Sequence, residues 1–427
     1  MAWSYSRAVE YAEGKAVSMP GTERINALMK ALGNPQERYL RVHVVGTNGK
    51  GSASAYIAAV LSAGGYRTGR FSSPAVMERR ECITVDGEFI SPTEYAYCME
   101  RVAAAAGEER PTSFEAETAA ALLYFAMKGC RVAVLEAGMG GRDDATNVSG
   151  SKAAVAITSI ALDHTEFLGD TLEKITLAKA GIADSGGRVY SCLQEEESET
   201  AIKKYCAANG IECRFVPPLK PLGFCGGRQL ASYCGGTLSL MPGISQLSNA
   251  ALAAAVCEGL KERGFFLPES AFESGMAAVA LPGRQELIDG KLLLDGAHNP
   301  AAARELAASV RARFPGVKKI ALAGVFADKD YKGVLEATLK EMDAAVTFDW
   351  DNRRALGGKE LQKYAAAFCK TRYIPDVEDA LKEALAQAEG GIVVAYGSFS
   401  HLKLIKSAYG RLAQRSLLWT ARRLNGR

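Results

Sequence analysis

The sequence predicts an α/β protein of two domains: a phosphate-loop type domain with a mostly parallel sheet, followed by a Rossmann-like, doubly wound domain. Three observations carry this. At 427 residues the chain exceeds what one ordinary core accommodates. The runs RVAVLEAG (131–138) and AAVAITSI (153–160) are almost continuously apolar, as strands buried on both faces of a parallel sheet are. After residue 290, strand-like and helix-like runs alternate strictly, the signature of a second parallel sheet. The stretch 281–300 marks the boundary, and we divide the chain into 1–283 and 284–427.

The elements follow in order. TERINALMKALG reads as a helix ending at Gly33, and RVHVV (41–45) as the first strand. Behind the glycine-rich turn, SASAYIAAVLSAGG has helical spacing and stops at Gly64–Gly65. RTGRFSSP is a strand and turn, and CITVDGEFIS a hairpin turning at Asp86–Gly87. SFEAETAAALLYFAMKG is a long helix. The segment 214–245, with Pro217, Pro218, Pro221 and Pro242, reads as antiparallel strands or loops, and 249–264 as helix. Beyond the boundary the strands are KLLLD, KKIALAGV, AAVTFDW, TRYI and GIVVAYG, with helices such as AAARELAASVRARF and DALKEALAQAEG between them.

Composition bounds the function. The net charge of +3 asks for neither a nucleic-acid nor a membrane partner, and no run has the uncharged length of a membrane span. The C-terminal arginines Arg411, Arg415, Arg422, Arg423 and Arg427 read as a solvated helix face. Ten scattered cysteines without a CxxC pair read as small hydrophobes in a reducing compartment, and the N-terminus lacks the order of a signal peptide. The expectation is a cytoplasmic protein.

The stretch VVGTNGKGS (44–52) is the strongest local signal. A bare backbone between a strand and a helix start lines up N–H groups and a helix dipole into an anion cradle. Gly46, Thr47, Asn48, Gly49 and Gly51 build that cradle, Lys50 adds charge for the outer phosphates of a nucleotide, and Ser52 offers a hydroxyl to their magnesium ion. The spacing departs from the common phosphate loop: two residues, not four, separate Gly46 from Gly49, and Gly51 stands between Lys50 and Ser52.

This variant resembles the Mur-ligase superfamily of ATP-dependent amide-forming enzymes. LGNPQERYLRVHVVGTNGKGS, GYRTGRFSSP, LEAGMGGRDDATN, LDHTEFLG, KAGI, PGRQE and LDGAHNP occur in the order seen in folylpolyglutamate synthases and dihydrofolate synthases, from about Gly33 to Pro300. The resemblance implies a P-loop ATPase-type first domain, a C-terminal ligase domain, and ligation of L-glutamate to dihydropteroate or a reduced folate through an acyl phosphate. Such chemistry needs cations to hold phosphate charge and a site that excludes water. Two other readings stand beside it: a Mur-type ligase acting on a different carboxylic acid, and a nucleotide-binding switch, which the lack of an NKxD motif disfavours. A degenerate folate-binding module is a third.

The resemblance also assigns roles. Glu136 and His164, each at the end of an apolar strand, match family magnesium ligands alongside Ser52. Lys179 in LAKAGI matches a lysine that is carbamylated, although Ala178 replaces a common Glu. Asp295 and His298 in DGAHNP, with Arg284 in PGRQE, supply further ATP contacts, His298 reaching the γ-phosphate or acyl phosphate; Pro300 starts the helix behind them. Asn249 matches a residue near the adenine, and read locally is a helix N-cap. Lys50, Lys179 and His298 are therefore the catalytic candidates. The resemblance implies ATP, one or two Mg2+ ions and, as a further option, a monovalent cation, in a monomer whose domains close around the nucleotide. Ser73, Pro74, Phe114 and Asp144 are expected on the folate side, with Glu115 beside them; His43 is expected to be structural. Ala75 stands where the family has His, and Asp143 where it often has Leu, departures that bear on substrate preference.

Overall fold

A computed structural model of the chain describes residues 2–14, 19–184 and 186–425, with side chains to 415. The chain divides into two compact units. The first is Met1–Gly223 with Arg228–Leu240 and Ser245–Val279; the second is Ala280–Arg427 with Phe224–Gly227 and Met241–Ile244.

The first unit is built on strands β1 (Leu40–Val45), β2 (Thr68–Phe71), β3 (Ile83–Val85), β4 (Glu88–Phe89), β5 (Val132–Glu136), β6 (Ala154–Ile157), β7 (Arg188–Cys192) and β8 (Cys213–Val216), in the order β4-β3-β2-β5-β1-β6-β7-β8. All pairs are parallel except β2–β3 and β3–β4. The interior strands β1, β5 and β6 are buried almost throughout, which is why their sequences are apolar runs without alternation. The hairpin joining β3 and β4 turns at Asp86 (φ 52°) and Gly87 (φ 85°), the two positive φ values of a type I′ turn. Two long helices, Pro92–Ala106 and Ser113–Met127, each start with a capping box, Ser91 with Glu94 and Thr112 with Glu115. Their apolar faces join β2, β3 and β5 in one core with Phe71, Phe125 and Leu135.

The expected loop region is partly corrected. Cys213–Val216 is a parallel edge strand of the large sheet, paired with β7; β7 itself, GRVYSC in sequence, was not expected. Its alternation is hidden because the strand is buried. The rest of 214–245 is antiparallel: β9 (Lys220–Cys225), β10 (Arg228–Tyr233) and β11 (Gly236–Leu240).

The second unit holds β12 (Glu286–Ile288), β13 (Leu292–Asp295), β14 (Lys319–Ala323), β15 (Ala344–Thr347), β16 (Lys370–Tyr373) and β17 (Ile392–Tyr396), in the order β12-β13-β17-β14-β15-β16. Only β12 runs antiparallel. Both sheets are mostly parallel and helix-covered, as the sequence predicts. The carboxyl ends of β13 and β17 lie side by side, with Asp295 opposite Tyr396, and strand ends of this kind are where open α/β sheets bind ligands. In the C-terminal helix Arg411 and Arg415 both pair with Glu378, at 2.8 and 2.7 Å, on a solvated face; Arg422, Arg423 and Arg427 lie outside the described side chains. Among the described residues no helix is long and apolar enough to cross a membrane.

Candidate active site

The glycine-rich turn bridges β1 and the helix Lys50–Ala63. Its shape depends on two absent side chains. Gly46 has φ 146°, and a Cβ there would collide with Thr158 Oγ1. Gly49 has φ 89°, and its Cβ would collide with Asn249 Oδ1. The turn is anchored to the loop after β6: the Thr47 and Asn48 N–H groups both donate to the Ser159 carbonyl, at 2.8 and 3.2 Å. Thr47 Oγ1 donates to the Ala161 carbonyl and accepts from its N–H, each at 3.0 Å. Ser159 and Ala161 carry no sequence motif, and only the strand register shows what they do.

Two lysines converge on one carbonyl. Lys50 Nζ donates to the carbonyls of Gly46 and Thr47, each at 3.2 Å. Lys179 Nζ donates to the same Gly46 carbonyl at 2.8 Å. Lys179 is 4% exposed, and burial, reinforced by the charge of Lys50, pulls its ammonium down to about 7. A large neutral fraction near neutral pH follows, and neutral amine is the form that adds to carbon dioxide. The neighbouring loop supports this helix end: Arg142 N–H donates to the Ala178 carbonyl at 2.9 Å, and a Cβ at Gly141 would collide with the Lys179 carbonyl.

Ser52 and Glu136, both 2% exposed, lie on adjacent elements: Ser52 in the first turn behind the loop, Glu136 at the end of β5, in register with Val44 of β1. His164 belongs to the loop that holds Thr47. It adopts a left-handed conformation (φ 52°) before a short helix, and its Nε2 is 3.8 Å from the Asp163 carboxylate. Among the described residues no three His, Cys, Asp or Glu side chains form a ready-made metal cage. A hydroxyl and a carboxylate on the elements that flank the glycine-rich turn nevertheless fit Mg2+, which takes few protein ligands and the rest from phosphates and water.

Asn249 lies inside the helix Gln246–Lys261, where Ser245 occupies the cap position, so the N-cap reading is corrected. It backs Gly49 instead, and its Nδ2 reaches Gln246 Oε1 at 3.5 Å. Gln246 in turn donates to Ser52 Oγ at 3.4 Å. Sequence reasoning missed Gln246; the signal was its spacing of three from Asn249, one helix face.

On the expected folate side the structure separates the candidates. Ser73 is half-buried and Pro74 exposed, just beyond β2. Phe114 packs against Phe71 with ring centroids 5.7 Å apart, and lies where a Cβ at Gly138 would be, 2.6 Å from its Cζ. Asp144 is 4% exposed and accepts from Met139 N–H, Thr146 N–H and Thr146 Oγ1, at 2.8, 2.9 and 2.6 Å, so it shapes the 138–146 loop. Glu115 caps its own helix and pairs with Arg24 at 3.0 Å, which corrects the expectation of a channel-lining role. His43 is fully buried with Nε2 on the Thr146 carbonyl at 2.9 Å, a structural residue as expected.

In the second unit, Asp295 ends β13 and accepts from Gln285 N–H (3.1 Å) and Ala297 N–H (2.8 Å). Burial pushes its carboxyl up to about 6, against the pull of Arg284 and Arg313. Arg313, itself drawn down by burial to about 10, donates to Gln285 Oε1 at 3.1 Å. His298 Nδ1 donates to the Gly296 carbonyl at 2.9 Å, and Asn299 caps the helix Pro300–Arg313. Phe399 organises this cluster: Arg284 stacks over its ring at 4.4 Å, His298 meets it edge-on at 6.3 Å, and the bare Gly296 admits it. Neither Phe399 nor Arg313 sits in a motif, so neither is visible from the sequence alone.

Residues 44–209 match the Mur ligase middle domain and 283–399 the Mur ligase glutamate ligase domain. A dihydrofolate synthase/folylpolyglutamate synthase of Bacillus subtilis is 33% identical over 384 residues, 85% of this chain and 88% of that protein. Its Escherichia coli counterpart is 32% identical over 357 residues, 81% of this chain and 80% of that one. The solved structure of E. coli FolC in complex with DHPP and ADP superposes with a TM-score of 0.86 at 27% identity, covering 97% of this chain and 99% of that one. The Mycobacterium tuberculosis folylpolyglutamate synthase complexed with ADP and AMPPCP gives 0.85 at 30%, covering 92% and 96%. The chain belongs to the dihydrofolate synthase/folylpolyglutamate synthase family of ATP-dependent Mur-type ligases.

Proposed function

We propose that this chain ligates L-glutamate to dihydropteroate, to a reduced folate, or to both, through an acyl phosphate. The observation that carries this reading is the convergence of Lys50 and Lys179 on the Gly46 carbonyl beside Ser52 and Glu136. A carboxylate is a poor electrophile until its oxygen is made a leaving group. The N–H groups at the helix start, Gly49 to Ser52, and the Lys50 ammonium are proposed to hold the nucleotide's outer phosphates while the acid attacks the terminal phosphorus and ADP leaves; the Thr47 and Asn48 N–H groups are already given to Ser159. Ser52, Glu136 and His164 would hold magnesium, which supplies charge to the transferred phosphoryl group. Lys179 is proposed to work as its carbamate, an anion in place of a buried cation, and a monovalent cation is a further candidate partner. Arg284, Asp295 and His298 are proposed contacts for the nucleotide and the acyl phosphate. Glutamate's amine then attacks the activated carbonyl and phosphate departs. We read the enzyme as a monomer working in the cytoplasm, where its ten free cysteines stay reduced.

The test is glutamate-dependent release of ADP with dihydropteroate or with tetrahydrofolate as acid, and mass spectrometry of the product. A product equal to acid plus glutamate less water supports the reading. Silence with both acids turns it toward a Mur-type ligase for a different acid, and nucleotide binding without product turns it toward a switch.

A further inference from the structure

A buried arginine is costly unless its charge is answered, and two arginines on the sheet of the first unit answer this differently, Arg41 buried and Arg70 half-buried. Arg41 in β1 is answered by neutral groups: its guanidinium donates to the carbonyls of Val148, Ser149 and Ser151 at 3.0, 2.9 and 3.3 Å. Arg70 in β2 is different. It stands opposite Val134 of β5 and Thr84 of β3. Glu136 is two residues beyond Val134, hence on the same face of the sheet, about 7 Å further along the strand. That face is covered by the helix that starts at Lys50. The reach of an arginine side chain spans this offset.

Burial draws the Arg70 guanidinium down, and the charges that act against that are Glu136 foremost, then Cys82 and Glu81. Glu81 already receives the N–H groups of Val76, Met77 and Glu78, so its oxygens hold the 72–82 loop. The Cys82 thiol is pushed up by burial and is neutral at physiological pH. By register and charge, Glu136 is the carboxylate left within the field of Arg70 on this face.

We propose that Arg70 is a resident cation that screens Glu136, so that free divalent metal is refused and metal enters only together with a nucleotide. The proposal rests on Glu136 being a metal ligand, as read above. A unit positive charge beside a lone carboxylate cancels most of its attraction for a bare divalent ion. A metal carried by a triphosphate brings its own negative charge, and the loop N–H groups and Lys50 bind that charge independently of Glu136. Metal binding and nucleotide binding thereby become one event, and an unproductive metal-first complex is suppressed.

The probe is Mn2+, counted by electron paramagnetic resonance on the full chain, with and without the non-hydrolysable analogue AMPPCP. The wild type is expected to bind Mn2+ weakly alone and much more tightly with the analogue. Arg70→Leu and Arg70→Gln are expected to gain roughly tenfold or more in nucleotide-free Mn2+ affinity, while Arg70→Lys stays close to wild type. Equal nucleotide-free affinity in wild type and a folded Arg70→Gln overturns the proposal, as does a wild type that binds Mn2+ equally well in both states. Should both neutral variants fail to fold, the wild-type comparison with and without analogue still decides. Glu136→Gln separates the two layers: if it leaves Mn2+ binding with AMPPCP unchanged, the ligand assignment fails; if it weakens binding and the Arg70 variants change nothing, only the screening role fails.

Discussion

The strand ends of the two sheets handle charge in opposite ways. In the first unit two ammonium groups face a backbone carbonyl in a turn whose Thr47 and Asn48 N–H groups are anchored on Ser159. In the second a carboxylate, Asp295, is enclosed by backbone donors and flanked by the guanidinium groups of Arg284 and Arg313. The first arrangement suits a ligand whose charge is large and changes during reaction, since Lys50 swings on a long stem and Lys179 can switch protonation near neutrality. The second suits fixed orientation, since every member is locked by another. The four histidines repeat the contrast. His43 and His401 are fully buried on carbonyls, and burial lowers His401 to about 4. His164 and His298 stand at the loops after β6 and β13.

This contrast can be broken most forcefully at Lys50. Lys50→Ala is expected to lower turnover by about two to three orders of magnitude with either acid, with an unchanged thermal midpoint in calorimetry. Retained turnover would remove the loop from the chemistry. At Lys179 the expected loss for Lys179→Ala is about a hundredfold, with partial recovery on adding short carboxylates. Wild-type activity in bicarbonate buffer should climb as pH rises through about 7, because the neutral amine that accepts carbon dioxide grows in that direction. The stability sign agrees: with a folded pKa lowered from 10.5 to about 7, the unfolded chain holds more protons in that window, so stability rises with pH across it, a slope that Lys179→Met should lack.

The second unit loses activity on the same acid side, through a carboxylate in place of an amine. Asp295 gains a proton as pH falls through about 6, so nucleotide-dependent activity should decline there. Asp295→Asn should lower activity by about tenfold and lose that acid limb in a pH profile. A profile unaltered in shape would exclude Asp295 as its source. The smallest effect is expected at Glu115. Glu115→Ala removes a capping partner and an ion pair, costing about 1 kcal/mol in chemical denaturation, with KM for the acid unchanged. A raised KM would return Glu115 to the substrate channel.

The sequence made the phosphate loop legible because its chemistry is local. Gly46, Lys50 and Ser52 sit within one turn, and φ values of 146° at Gly46 and 89° at Gly49 are what glycine there announces. The second sheet was legible from its alternation, and the hairpin from Asp86–Gly87. Contacts made across the fold were hidden. Ser159, Gln246 and Phe399 act through partners 111, 194 and 103 positions away, at Asn48, Ser52 and Gly296. Glu115 shows how a polar residue near a site motif can be consumed by the helix it belongs to. β7 was passed over because a short strand in an otherwise polar stretch gives no period to count.

The contact between Phe114 and Gly138 constrains how this enzyme can change. The Phe114 ring lies against position 138 only because that position has no side chain. Bulk there is a shared quantity, held entirely by one partner. Volume can therefore be exchanged between positions 114 and 138 only in concert, and a library randomised at both should yield a diagonal ridge of survivors rather than two independent lists.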